Sequence, residues 1–121
     1  MAGGGGGAGR GFIRRDEETY VRAQLKNLRE SAVRGEAGGE IAWHSREALG
    51  RVLSEGAADI FIEALRDRHE VVRVTAAENL KRLGDREAID ALQKVIQKPG
   101  ESSWVKKTAE AAIDEIKLRN R

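Results

Sequence analysis

The sequence lacks cysteine altogether, contains a single proline and has few aromatic residues, which make up 4% of its 121 residues. Without cysteine the chain has no disulfide, thiolate zinc site, iron–sulfur cluster or cysteine nucleophile. No apolar run approaches the ~18 residues of a membrane span, and the opening residues lack the hydrophobic block of a signal peptide. We therefore expect a cytosolic protein with a single domain that is stabilised by packing.

Charged residues are abundant, at 35%, and good helix formers outnumber strand formers, so the composition predicts an all-α protein. Residues 1–15 are rich in glycine and arginine and are predicted to be a disordered leader, which places the folded domain at 16–121. Basic side chains are concentrated near both ends of the sequence, whereas the middle carries more acidic than basic groups.

The middle of the chain repeats itself. A shift of 31 positions places Leu49 on Leu80 and Phe61 on Leu92, and a shift of 33 then places Leu80 on Ile113. Apolar residues recur at helical spacing twice in each unit, so each unit is predicted to be two helices, with Leu80 and Leu92 in the core. The expected helices are 16–33, 40–53, 57–67, 70–83, 86–97 and 103–118. Asp16 and Asp85 are the expected capping residues of two of them.

The best-defined repeat unit comprises residues 65–80, then Leu83, Gly84 and Asp85, then the mainly apolar segment at 88–92. It resembles a HEAT-like repeat of the short type first named for phycobilisome lyases. The resemblance extends more weakly over residues 16–118. It implies a short α-solenoid of stacked helical hairpins, about six helices in all. It also implies that Asp67 and Arg73 are the turn aspartate and arginine that tie successive hairpins together.

The resemblance further implies a tendency to bind proteins, but it implies no particular activity and no cofactor. We interpret the chain as an adaptor, scaffold or regulatory subunit. The second helices of successive units, at 57–67 and 86–97, are expected to line a shallow concave surface. The expected partner-binding residues on that surface are Asp59, Ile62, Glu63, Arg66, Asp90, Gln93, Lys94 and Gln97.

Candidate catalytic and metal-binding patterns are weak. The helix that follows His69 begins like a metalloprotease helix, but Arg73 stands where the second histidine is needed, and His44 is the only other imidazole. Asp59 and Asp90 occupy equivalent positions, yet nothing in the sequence suggests a closed pocket around them. We therefore expect neither catalysis nor a bound metal.

Two other functions stay open. The basic ends, with Arg10, Arg14 and Arg15 at one and residues 117–121 at the other, are compatible with a nucleic-acid-associated protein, although the acidic middle argues against a nucleic-acid groove. A chromophore-lyase-like chaperone of a cofactor is the second alternative.

Two structural questions also stay open: whether the two tryptophans are buried, and whether the chain forms a dimer. Trp43 and Trp104 suit either the core or an exposed partner-binding site. A weak homodimer through an end of the stack also stays open, because each terminal helix carries apolar side chains that a missing neighbour would leave uncovered. These side chains are Tyr20, Val21 and Leu25 in the first helix and Trp104, Ile113 and Ile116 in the last.

Overall fold

The computed structural model describes residues 12–121, which form six α-helices and no strand, so the predicted all-α class is confirmed. The predicted disordered leader falls mostly in residues 1–11, outside the described residues. The helices are α1 (Arg15–Val33), α2 (Glu40–Leu49), α3 (Ala58–Ala64), α4 (Glu70–Leu83), α5 (Arg86–Gln97) and α6 (Ser103–Arg119).

The start of α1 differs from the sequence expectation. Asp16 does not cap the helix: α1 begins after Arg14, without a side-chain cap, and the Asp16 carboxylate accepts the Glu17 N–H inside the first turn, at 2.9 Å. An acidic side chain is favourable there because it faces the positive end of the helix dipole. Ile13, two residues before the helix, is half-buried against the core.

Helices α2 and α3 are shorter than expected. Helix α2 ends at Leu49, and α3 is preceded by a 3₁₀ turn (Glu55–Ala57). Gly50 immediately follows the last residue of α2. Glycine weakens a helix by about 1 kcal/mol relative to alanine, so it favours the end of the helix at this point. By contrast, Asp85 caps α5 as expected, because its carboxylate accepts the Glu87 N–H at 3.0 Å.

The six helices form two layers. Helices α1, α3 and α5 contact one another in turn, while α4 and α6 pack side by side in the other layer. Each odd-numbered helix packs on the even-numbered helix that follows it, and α5 lies against α6 more extensively than against α4. The central helix α4 is buried from Val71 to Ala77. Leu80 and Leu92 are both fully buried, as expected.

The ends of the stack are less apolar than the sequence suggests. Val21 and Leu25 of α1 are buried, and so are Ile113 and Ile116 of α6. The outward side of α6 carries exposed polar and charged residues such as Lys107 and Asp114. Of the six residues on which the alternative of a homodimer through an end depended, four are buried within the chain and only Tyr20 and Trp104 are exposed.

Two arginine–carboxylate pairs join successive hairpins. Arg29 of α1 donates to the Asp67 carboxylate in the turn before α4. Arg73 of α4 donates through Nε and Nη2 to both oxygens of Glu101, at 2.8 and 2.7 Å, and its third bond reaches the Asp67 carbonyl at 3.0 Å. The positions that the family resemblance assigns to tie residues do join the hairpins, and Arg29 and Glu101 are the other two members of the link.

Two other arginines complete the ends of neighbouring helices. Arg82 of α4 donates to the carbonyls of Leu49 and Val52 just past the end of α2, at 3.2 and 2.8 Å. Arg119 of α6 donates to the carbonyls of Lys81 and Gly84 at the end of α4, at 2.7 and 2.8 Å. The last carbonyls of a helix have no partner within it, so an arginine there supplies both hydrogen bonds and a favourable charge.

Gly84 allows α4, α5 and α6 to approach closely at the corner between α4 and α5. A Cβ at this position would lie 2.7 Å from the Leu80 carbonyl oxygen and 3.0 Å from the Cδ1 atom of Ile116. Only glycine leaves room for this approach.

Candidate functional site

The layer formed by α1, α3 and α5 presents two open grooves. The first groove runs between α1 and α3. Leucine, isoleucine and alanine side chains form its floor and charged side chains form its walls. Its lining residues are Arg22, Leu25, Lys26, Arg29, Ile60, Glu63, Ala64, Arg66 and Asp67.

The second groove runs between α3 and α5 and has the same construction, an apolar floor between charged walls. Its lining residues are Ile62, Leu65, Arg66, Glu87, Asp90, Ala91, Lys94, Val95 and Lys98. Arg66 lines both grooves, so the two grooves adjoin at this side chain and cross all three helices of the layer. We call this surface the α1–α3–α5 face.

Four of the residues that the sequence assigns to partner binding meet in the second groove: Ile62, Arg66, Asp90 and Lys94. Glu63 lies in the first groove instead. The remaining three are exposed but lie outside both grooves: Gln93 borders a separate depression between α5 and α6, and Asp59 and Gln97 lie elsewhere on α3 and α5. The structure thus brings together five of the eight in two adjoining grooves.

Sequence reasoning missed the contribution of α1. Arg22, Lys26 and Arg29 follow one another at intervals of four and three residues, which places them on one side of the helix, and all three line the first groove. This basic stripe was visible in the sequence. It was overlooked because α1 lies outside the repeat register from which the other site residues were assigned.

Several charges in the grooves neutralise one another. Arg22 bonds to Glu63 across the first groove and to Glu18 on its own helix, both at 3.1 Å. These bonds, led by that of Glu63, raise the pKa of Arg22. In the second groove Lys94 pairs with Asp90 at 3.3 Å, on the exposed side of α5.

Three cations of the face are not neutralised in this way. No ion pair with any of the described residues is made by Lys26, Arg66 or Lys98. Lys26 and Lys98 lie on the two sides of the α1–α3–α5 face, and Arg66 lies at its centre. Lys98 lies near Glu101, but both oxygens of that carboxylate are already bonded to Arg73.

The two tryptophans are exposed, which answers the question that the sequence left open. Trp43 is 56% exposed and Trp104 is 43% exposed, so of the two alternatives the structure excludes the core. The guanidinium of Arg46 lies 5.3 Å from the centre of the Trp104 ring and bonds to Glu78 through both carboxylate oxygens. Arg46 thus connects α2 with Glu78 of α4 and with Trp104 of α6, on the side opposite the grooves.

Residues 12–121 offer neither a metal-binding cluster nor a membrane-spanning helix. No three histidine, aspartate or glutamate side chains of this part of the chain lie close enough together to hold a metal ion. None of its helices combines the length and the apolar character that a bilayer crossing requires.

The layered helices and their open, mixed-charge grooves define a helical-repeat module of the protein-interaction type. Residues 24–114 match the family model described as HEAT repeats, and the chain belongs to this family. The match confirms the resemblance inferred from the sequence. Members of the family generally act as surfaces for other proteins.

Two curated relatives share this repeat region. The chain is 36% identical over 87 residues to phycocyanobilin lyase subunit alpha of Picosynechococcus sp., a match that covers 71% of this chain and 32% of that protein. It is 39% identical over 74 residues to deoxyhypusine hydroxylase of Neurospora crassa, covering 60% of this chain and 23% of that protein. The chain therefore spans a third or less of the length of these relatives.

Proposed function

We propose that the chain is an adaptor or regulatory module that binds another protein across the α1–α3–α5 face, and that it does not itself catalyse a reaction. The observation that carries this proposal is the pair of adjoining grooves, which share Arg66 and have apolar floors between charged walls. An apolar floor with a polar rim is the arrangement found in many protein interfaces.

The grooves suit binding better than chemistry. Both are open to solvent, and the paired Asp90 and Lys94 side chains are each about three-quarters exposed. A carboxylate in such surroundings is well hydrated, whereas general acid–base catalysis relies on groups whose pKa is tuned by burial or by a close neighbour.

The test compares two charge reversals of equal size. The groove variant Arg66→Glu/Lys94→Glu and the control variant Arg51→Glu/Lys107→Glu each replace two exposed cations, and the control residues lie outside both grooves. Tagged wild-type and variant chains are used to capture partners from native lysate, and the captured proteins are identified by mass spectrometry. We expect one set of partners to be retained by the control and lost by the groove variant. Identical capture by both variants would contradict the proposal.

The similarity to a phycocyanobilin lyase subunit favours a second candidate, a module that assists the handling of a chromophore or other cofactor. The two candidates differ in a simple property of the purified protein. A cofactor-handling module should retain a coloured or otherwise absorbing ligand, whereas an adaptor should show only the absorbance of its protein side chains.

A further inference from the structure

The charge of the α1–α3–α5 face is unbalanced in one direction. Its two grooves are lined by six cationic and four acidic side chains. Three of the four acidic side chains, Glu63, Asp67 and Asp90, are each already held by a cation of the same face. The fourth, Glu87, is outnumbered by the three cations that make no ion pair. What the face offers to a partner is therefore positive charge, at Lys26, Arg66 and Lys98.

We infer that the partner enters these grooves with an acidic segment whose Asp or Glu side chains pair with Lys26, Arg66 and Lys98, and whose apolar side chains rest on the groove floors. This inference rests on the proposed function and specifies the chemistry of its partner. Charge complementarity of this kind selects the partner and speeds its association.

The spacing of the helices indicates the pattern of such a segment. The three cations come from α1, from the end of α3 and from the end of α5, and packed helices lie about 8–10 Å apart. An extended peptide advances about 3.3 Å per residue. Acidic residues about three positions apart, with leucine- or isoleucine-like residues between them, match this spacing.

A nucleic acid suits the face less well. Its phosphates carry negative charge continuously along the strand. The ion-paired carboxylates of Glu63, Asp67 and Asp90 interrupt the positive charge of the face, and a peptide can place apolar or neutral residues opposite them. The apolar floors, formed by residues such as Ile60 and Val95, likewise provide contacts for apolar side chains.

The inference is tested with a library of displayed random 16-residue peptides, selected on the full chain. The library is selected separately on the groove variant Lys26→Glu/Arg66→Glu/Lys98→Glu and on the control variant Arg51→Glu/Lys81→Glu/Lys107→Glu, which changes the net charge equally at exposed sites outside the grooves. Circular dichroism melts establish that both variants fold. The composition of each enriched pool is compared with that of the unselected library.

We expect wild type and control to enrich the same peptides, with Asp and Glu about threefold above the unselected library, and the groove variant to lose them. Enrichment of neutral peptides that the groove variant loses would overturn the acidic partner but leave the proposed function standing. If no pool distinguishes wild type from the groove variant, both the acidic partner and the proposed function would be refuted.

In a separate anisotropy measurement, a labelled 16-nucleotide oligouridine should bind at least about tenfold more weakly than the enriched peptides. Tighter binding that the groove variant abolishes would overturn the inference in favour of nucleic acid.

Discussion

At the scale of single residues, the buried pair of Arg73 and Glu101 is the most consequential polar contact. The Glu101 side chain is fully buried. Burial alone would raise its pKa, but the hydrogen bonds from Arg73 and from the Ser102 N–H, with the positive charges of Arg73 and Lys98, outweigh burial and lower the pKa. The carboxylate therefore stays ionised and holds the turn before α6 against α4.

This pair predicts a loss of stability in acid. Because the pKa of Glu101 is lower in the folded than in the unfolded chain, its stabilising contribution is complete above the ordinary glutamate pKa of 4.5 and disappears as the pH falls through the folded pKa. Glu101→Gln should cost about 1.5–3 kcal/mol at neutral pH. The difference from wild type should shrink as the pH falls below about 4.5 and through the lowered pKa of the folded chain. Urea denaturation at a series of pH values measures this.

Glu110→Gln, at an exposed position of α6, is the control for that experiment and should follow the wild-type pH profile. A difference between Glu101→Gln and wild type that stayed constant with pH would show that the ionisation of Glu101 does not contribute to stability.

A second prediction at this scale separates the core from the binding face. Leu80 is fully buried, and Leu→Ala at such a site typically costs ~2–5 kcal/mol. Asp90 is exposed, so Asp90→Ala should change stability by less than about 0.5 kcal/mol, and it should not weaken an acidic partner in the second groove because it frees Lys94. Thermal melts combined with partner capture test both halves. A wild-type melt for Leu80→Ala, or unfolding of Asp90→Ala, would refute the repeat register.

At the scale of helices, Gly84 is required by close packing. The Cβ of an alanine at this position would overlap the Leu80 carbonyl oxygen, which belongs to the backbone and has little freedom to move. We expect Gly84→Ala to destabilise the chain by roughly 1–3 kcal/mol. Gly38→Ala is the matched control, since nothing lies within 4 Å of the Cβ it would introduce. Chemical denaturation should therefore separate the two variants, and equal midpoints would disprove the close approach.

The sequence predicted these helices well where local signals agreed. For α4 and α5, the apolar spacing around Leu80 and Leu92 coincides with a glycine stop at Gly84 and a cap at Asp85, and the observed bounds match the expected ones. At α2 the apolar pattern continues past Gly50, but the helix does not. Periodicity alone does not show which turn lacks the packing that would hold it helical.

The grooves were only partly predictable for a different reason. The repeat register places Ile62, Arg66, Asp90 and Lys94 on equivalent sides of α3 and α5, and they do share a groove. It says nothing of α1, whose residues approach α3 through contacts between positions far apart in the sequence, such as Arg22 and Glu63. The exposure of the tryptophans likewise depends on how the helices pack on one another, which no local pattern encodes.

At the scale of the whole molecule, α6 supports both layers because it packs along α4 and along α5. In a stack of this kind each unit is stabilised by its neighbours. A chain that ends at residue 102 should therefore lose cooperative thermal unfolding, since it lacks Ile116 and Arg119 as well as the rest of the helix. Circular dichroism melts and the binding of a hydrophobic dye measure this. A sharp melt without dye binding would show that the first five helices are stable by themselves.

The arginines that complete neighbouring helix ends also affect the time course of synthesis. The Leu49 carbonyl is bonded by an arginine 33 residues later in the chain, and the Lys81 carbonyl by one 38 residues later. At roughly 5–20 residues per second, a ribosome takes about 2–8 s to deliver each of these side chains. During that interval the last turn of each earlier helix lacks its cap, so the helix end is completed only after the following hairpin, or the helix after it, has been synthesised.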